Sequence, residues 1–330
     1  METNPSPGYV GIDIAKLTFN ACLIRPAVPG KPLKKQFPNT LEGFAKMLRW
    51  LAQVAPDTSC HFCMEATGSY YEALAIYLAE ANQRVSVVNP FRTHHAAKAA
   101  GATNKTDPAE AGTLAEHCRK ENPSLWRRAS PEVRTLVGLL RRLQALKDHL
   151  TQERNRLGDP SVSGQSEVVA SLNKSIAFLE GEIAALLQQI QDHIDSHPDL
   201  KRDRKLLTSI PGIGDLTAAW IVAELPDVKS IASAQSAAAY AGLAPCEYRS
   251  GTSVRRETHL SKKGNVQLRR ALYMPAMIAA RFNPAVKAIY DRLIQRGRPR
   301  MVAIGAAMRK LLMIAYGVLK SRKEFEPDPG

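Results

Sequence analysis

The sequence predicts an α/β domain at the N-terminus with helices after it. Three observations predict this class. Three short apolar runs near the N-terminus are followed by alternating helix and strand patterns. Between Leu136 and Ile190 apolar residues recur at alternating three and four residues. From Leu206 onward the chain reads as helices joined by Gly- and Pro-containing turns. With 330 residues, 45% of them hydrophobic, it is long enough to bury a substantial core in one large or two to three ordinary domains.

In chain order, Val10 to Ala15, Phe19 to Ile24 and Lys34 to Phe37 read as strands, and Pro26, Pro29 and Gly30 punctuate the second turn. Thr40 caps a helix with Leu41, Phe44, Leu48 and Leu51 on one face. Cys60 to Met64 is a strand, Tyr70 to Ala81 a helix turning Leu74, Tyr77 and Leu78 inward, and Arg84 to Val88 a further buried strand. Three strands and then alternation is the order of a ribonuclease-H-like α/β domain, placed over residues 1–130. Residues 131–200 change to long helices. Leu136, Leu139, Leu143, Leu146 and Leu150, then Val169, Leu172, Ile176, Leu179, Ile183, Leu186 and Ile190, form coiled-coil seams broken at 158–164. The pattern fits a helical hairpin on its own chain and an intermolecular coil equally. Residues 201–330 open with Ile210-Pro-Gly212-Ile-Gly214 between two helices, the hairpin of helix-hairpin-helix modules, whose backbone N–H groups at Gly212 and Gly214 suit a nucleic-acid phosphate.

Asp13 stands in the apolar run Tyr9 to Lys16, where burial of a carboxylate is costly unless it ends the strand and binds something. Glu65 ends the run from Cys60, and Asp107 and Glu110 lie in Asn104 to Ala111. Asp107-Pro-Ala-Glu110 is also a good capping box that needs no catalysis. The functional reading joins all four. Spacing of three on a helix puts Asp107 and Glu110 on one face, able to meet Asp13 and Glu65 at the ends of adjacent strands. Four converging carboxylates require divalent cations, and such a cluster suits two Mg²⁺ about 4 Å apart acting on a phosphodiester.

The net charge is +14, and it is concentrated. Between Arg249 and Lys323 stand 18 basic residues against Glu257 and Asp291, so the rest of the chain is near −2. One basic block beside an acidic cluster predicts a polyanion partner. Within it, Ser250 precedes a glycine and is flanked by Arg249, Arg255 and Arg256, which can neutralise a phosphate at its hydroxyl. Lys262, Lys263, Arg269 and Arg270 follow as further phosphate contacts. Five scattered cysteines predict a reducing compartment. Cys60 and Cys63, three apart on a strand, face opposite ways and argue against zinc. No leader pattern and no apolar run of spanning length is evident, so a cytoplasmic protein off the membrane is expected.

The set Gly11-Ile-Asp-Ile-Ala-Lys16, Glu65-Ala-Thr-Gly68, Asn104-Lys-Thr-Asp107, Ile210-Pro-Gly-Ile-Gly214, Ala241-Gly-Leu-Ala-Pro245, Ser250-Gly-Thr-Ser-Val-Arg255 and Leu268-Arg-Arg-Ala-Leu-Tyr273 resembles the insertion-sequence one-ten family of DEDD transposases, known as bridge-RNA-guided recombinases. The resemblance runs in order from Val10 to about Lys320. It implies a RuvC-like N-terminal domain, a coiled-coil linker and a C-terminal transposase domain. It further implies Mg²⁺, a bridge RNA pairing with donor and target double-stranded DNA, and a dimer that becomes a tetramer on DNA. Active sites would join the acids of one protomer to the serine of another. By residue, Asp13, Glu65 and Asp107 match three metal-binding acids and Ser250 matches the nucleophile; Glu110 stands where the family pattern has aspartate.

Two readings of other classes compete. Gly11 to Lys16 also resembles the first phosphate loop of actin-like ATPases and sugar kinases, but no second Asp-x-Gly loop follows. The other is a non-catalytic structural protein that binds branched DNA through the basic block, and it predicts normal DNA binding after Ser250→Ala.

Overall fold

The computed structural model describes residues 6–26, 30–56, 58–66, 70–88, 107–126, 128–225, 227–228, 231–250, 254–261 and 264–327, with the backbone alone at 6, 107–108, 246–250 and 254–258. Two compact units divide the chain, Met1–Arg128 and Ala129–Gly330.

The first unit is built on a mixed five-stranded sheet of order β3-β2-β1-β4-β5. Strand β1 (Ser6–Ile14) pairs antiparallel with β2 (Thr18–Ile24), and β2 antiparallel with β3 (Leu33–Pro38). On its other side β1 runs parallel to β4 (Thr58–Glu65), which runs parallel to β5 (Arg84–Val88). Parallel neighbours need crossovers, and helices α1 (Leu41–Val54) and α2 (Glu72–Glu80) supply them. This is the ribonuclease-H-like α/β order read from the sequence. β1 starts at Ser6, earlier than the expected Val10, because Ser6 to Tyr9 pair with Thr58 to His61 despite the weak strand formers Pro7 and Gly8.

Alternation along the strands splits the sheet into two faces. Val10, Ile12, Phe19, Leu23, Phe37, Phe62 and Met64 pack with Phe44, Met47 and Leu51 of α1 and Leu74 and Leu78 of α2. Thr40 caps α1 as expected, accepting from the Gly43 N–H at 3.3 Å. Met47 takes the core place assigned to Leu41, which is 70% exposed at the entry of the helix. The opposite face carries α3 (Asp107–Glu121), whose Ala111, Leu114, Ala115 and Cys118 pack against Cys22 and Cys63. Cys60 belongs to the first face and Cys63 to the second.

In the second unit α4 (Pro131–Leu157) and α5 (Ser166–Ser196) form a hairpin arm. At its base Leu136, Leu140, Leu143 and Leu146 of α4 meet Leu186, Ile190 and Ile194 of α5. Arg154 of α4 pairs with Glu180 of α5 at 2.7 Å further out. Leu140 is fully buried where the spacing favoured Leu139, because α4 also packs on α7 (Asp215–Glu224) through Ala219 and Trp220, which widens its apolar face beyond a narrow seam. Beyond the base no seam position from Val169 to Ile183 is fully buried, and Phe178 is 66% exposed.

Helix α6 (Pro198–Thr208) leads through the turn 209–214 into α7. After α8 (Ala234–Tyr240) come the hairpin strands β6 (Pro245–Ser250) and β7 (Val254–Leu260), then α9 (Val266–Ala271), α10 (Tyr273–Phe282), α11 (Pro284–Gln295) and α12 (Arg300–Ser321). Helix α12 corrects one expectation: it is long and apolar enough to cross a membrane by length and composition. Its apolar residues are spent on the core, however. Ala303, Ala307, Leu311, Leu312 and Ala315 are fully buried among α6, α7, α8 and α10.

Candidate active site

Asp13 is the next-to-last residue of β1, opposite Asn20 of β2. On the other side Ile12 pairs with Met64, so the next row sets Asp13 beside Glu65, the last residue of β4. Ile12 and Met64 belong to the α1–α2 core, so alternation turns both acids to the α3 face. Two half-buried acids thus stand at the same end of the sheet, on adjacent parallel strands whose backbones are spaced about 4.8 Å.

Gly11 determines how α3 reaches that end. A Cβ at Gly11 would lie 2.1 Å from both the Ala111 carbonyl oxygen and the Ala115 nitrogen, so the helix backbone rests directly on the strand backbone. Cys118, further along α3, donates to the His61 carbonyl at 3.5 Å, two residues before the row of Gly11 and Cys63. The helix therefore runs against the strand direction and starts at the acid end, with Asp107 and Glu110 in its first turn. Glu110 is half-buried there, while the Asp107 side chain lies outside the described residues. Among the described residues no three His, Cys, Asp or Glu side chains gather closely enough to hold a metal ion. The structure brings Asp13 and Glu65 into one row and Glu110 to the helix over it.

Ser250 ends β6, and its row partner is Val254; Arg249 pairs with Arg255 and Tyr248 with Arg256 in the rows behind. Their side chains, and Lys262 and Lys263 altogether, lie outside the described residues. The backbone places Ser250 at the tip of a two-stranded hairpin. The base of that hairpin is held by arginines. Arg269 donates to the Ala241 carbonyl at 3.0 Å and Arg309 to the Leu243 carbonyl at 3.3 Å, and burial holds the Arg269 guanidinium below its usual pKa. Arg270 makes a two-pronged pair with Asp148 of α4, at 2.5 and 3.1 Å. That pair holds the Asp148 carboxyl below its ordinary range. Arg269 and Arg270, read from the sequence as phosphate contacts, are thus engaged within the protein. In the turn between α6 and α7, Gly212 has φ +104° and a Cβ there would lie 2.7 Å from Ala279 Cβ, whereas Gly214 opens on free space.

A further buried acid lies near the base of the hairpin, bonded to Asn265 ahead of α9. Glu224, 6% exposed, accepts from Arg141 of α4 at 3.2 Å and from the Asn265 side chain at 2.7 Å, and Asn265 caps α9 through the Leu268 N–H at 2.8 Å. It stands at the end of Ala218-Ala-Trp-Ile-Val-Ala-Glu224, an acid in an apolar run, which is the signal that selected Asp13.

Comparison with known proteins agrees with this layout. The DEDD-type IS110 transposase model matches residues 10–159, and the model described as Transposase IS116/IS110/IS902 family matches residues 204–291. The chain is 36% identical over 324 residues to a pilin gene-inverting protein of Moraxella bovis, covering 97% of this chain and 98% of that one, and equally to its counterpart from Moraxella lacunata. It is 34% identical over 159 residues to an insertion element IS110 uncharacterized 43.6 kDa protein of Streptomyces coelicolor, covering 48% of this chain and 38% of that one. With both halves matched in order and one relative aligned along nearly its whole length, the chain belongs to the IS110 family of DEDD transposases.

Proposed function

We propose that this transposase exchanges DNA strands through a covalent link to Ser250, assisted by a divalent cation at the acidic row and directed by a guide RNA. The observation that carries the reading is the juxtaposition of Asp13 and Glu65 at one end of the sheet with the start of α3 over them. The donors are hard carboxylate oxygens, the kind Mg²⁺ takes, and Asp13, Glu65, Asp107 and Glu110 would hold it. A bound Mg²⁺ would supply polarisation of the scissile phosphate. The Ser250 hydroxyl attacks the phosphorus as the phosphodiester P–O bond to the departing strand breaks; the proton lost from serine is matched by one gained, through solvent, on the departing oxygen, which becomes a free hydroxyl. Rejoining reverses the step with a hydroxyl from the other duplex, so no external energy source is needed.

Of the basic residues, Arg249, Arg255, Arg256, Lys262 and Lys263 around the hairpin are assigned to phosphates, with Gly214 offering its backbone. Arg269 and Arg270 instead hold the hairpin base and the arm. The coiled-coil reading is kept for the outer arm, where seam residues from Val169 to Ile183 are incompletely covered and suited to a second protomer; the active form is then a dimer, and a tetramer on DNA. The relatives aligned along their whole length are named as gene-inverting proteins, which favours inversion as one outcome. Insertion and inversion use the same strand exchange and differ in how the DNA sites are arranged.

RNA guidance is tested by sequencing the RNA that co-purifies with the protein. One discrete structured species is expected; a heterogeneous pool would remove that part of the reading. For the acids, Asp13→Asn is expected to abolish strand exchange with folding and RNA binding retained, and normal exchange would remove Asp13 from the site.

A further inference from the structure

The far edge of the sheet carries a feature that the strand-exchange reading does not use. Between β3 and α1 runs an open groove lined by Lys35, Gln36, Phe37, Lys46, Arg49 and Trp50. The Trp50 ring is half-buried against Phe37, at 5.7 Å between centroids and 52° between planes. Lys35 and Arg49 are exposed and form no ion pair among the described residues; Lys46 meets Glu42 in an exposed pair at 2.7 Å. A second groove, lined by Asn20, Ala21, Lys34, Lys35 and Gln36, opens on the other side of the same strand. There Lys34 reaches toward Gly112 of α3.

Lysines on an edge strand are commonly explained as guards against edge-to-edge pairing. That explains Lys34 and Lys35, which lie on β3, but not Lys46, Arg49 and Trp50, which lie on a helix. Cations around a half-exposed indole are what single-stranded nucleic acid uses: phosphates on the charges, a base on the ring. Position selects the strand. Gln36 pairs with Asn20 and Asn20 with Asp13, so the edge lies two strand spacings, about 10 Å, from the acidic row. Lys34 lies on the α3 face of that edge, and Lys35, Lys46 and Arg49 lie with Trp50 on its α1 face.

We propose that this groove binds the unpaired DNA strand flanking the scissile phosphate, with Trp50 stacked on a base and Lys35, Lys46 and Arg49 on its phosphates. The choice of DNA rests on the strand-exchange reading. The test uses the full-length protein with a single-stranded oligothymidylate carrying iododeoxyuridine, without metal or RNA, so it stands apart from catalysis. Ultraviolet cross-linking should mark the peptide containing Trp50. Lys35→Glu with Arg49→Glu should lower that cross-link at least tenfold and reduce the salt slope of its formation by about 1.4, at about 0.7 per phosphate contact. Trp50→Leu should weaken binding at the groove about 5- to 150-fold, read as protection of Lys35 and Lys46 from acetylation, with the salt slope unchanged. Lys174→Glu with Arg142→Glu, an equal charge change at exposed helix positions outside the groove and the basic block, should leave the cross-link intact. The proposal is overturned if cross-links fall only outside the groove or if the control pair loses as much. It is equally overturned if the same-length duplex or oligouridylate marks the groove as strongly, or if the β3 and α1 charge variants alter only aggregation.

Discussion

At the level of single residues, the acids and the glycine between them belong to one arrangement. Asp13 and Glu65 share a row because β1 and β4 pair in parallel, and Gly11 allows α3 to lie on that pair. Gly11→Ala is expected to push α3 off the sheet, at a cost of about 1–3 kcal/mol or more, and to misplace Glu110. Thermal unfolding and strand-exchange rate should fall together, whereas Gly214→Ala, with open space at its Cβ, should leave the melting temperature nearly unchanged. For Glu110 the capping and ligand readings separate cleanly. We expect Glu110→Gln to lose strand exchange at an unchanged melting temperature; a stability loss of about 0.5–2 kcal/mol with activity kept would make it a cap. Asp13 was legible because a charge in a buried apolar run announces itself. Glu224 obeys the same rule, but on a helix an acid in an apolar run can equally face solvent, so its burial is not dictated by the run. The role of Gly11 was not legible, since no local pattern tells a strand which distant helix will cross it.

Among the elements, strands and helices of the first unit were readable because their β-branched and apolar residues follow the periods of two and 3.6. The long helices were readable as helices but not as partners. A sustained three-four repeat specifies a narrow seam, while α4 meets both α5 and α7 and buries Leu140 as well as Leu136 and Leu143. The arm therefore has two parts with different expected behaviour. At the base, Leu186→Ala should destabilise the fold by about 2–5 kcal/mol, as for other buried leucines. Further out, Leu172→Glu with Ile176→Glu should lower the mass of the oligomer in light scattering while the melting temperature holds. An unchanged mass would make the outer arm dispensable for assembly. At the serine hairpin the charges are legible in the sequence, whereas the pairing of β6 with β7 is not. That Arg269 and Arg270 serve the protein, on Ala241 and Asp148, depends on long-range contacts no spacing encodes.

Over the whole chain, charge and chemistry are divided between two compact units: the four acids lie in Met1–Arg128, and the serine hairpin with the whole basic block lies in Ala129–Gly330. Composition alone made that division visible, as 18 of the 45 Lys and Arg residues fall between Arg249 and Lys323. The central proposal is that Ser250 is the nucleophile and that strand exchange also needs the acidic row. It is tested most directly by incubating the full-length protein with guide RNA, Mg²⁺ and both DNAs, denaturing, digesting and mapping the products by mass spectrometry. A nucleotide attached to Ser250, absent in Ser250→Ala and in Asp13→Asn, is the predicted result. An adduct that survives Ser250→Ala or maps to Ser253 or Ser261, or strand cleavage with no adduct at all, would contradict it.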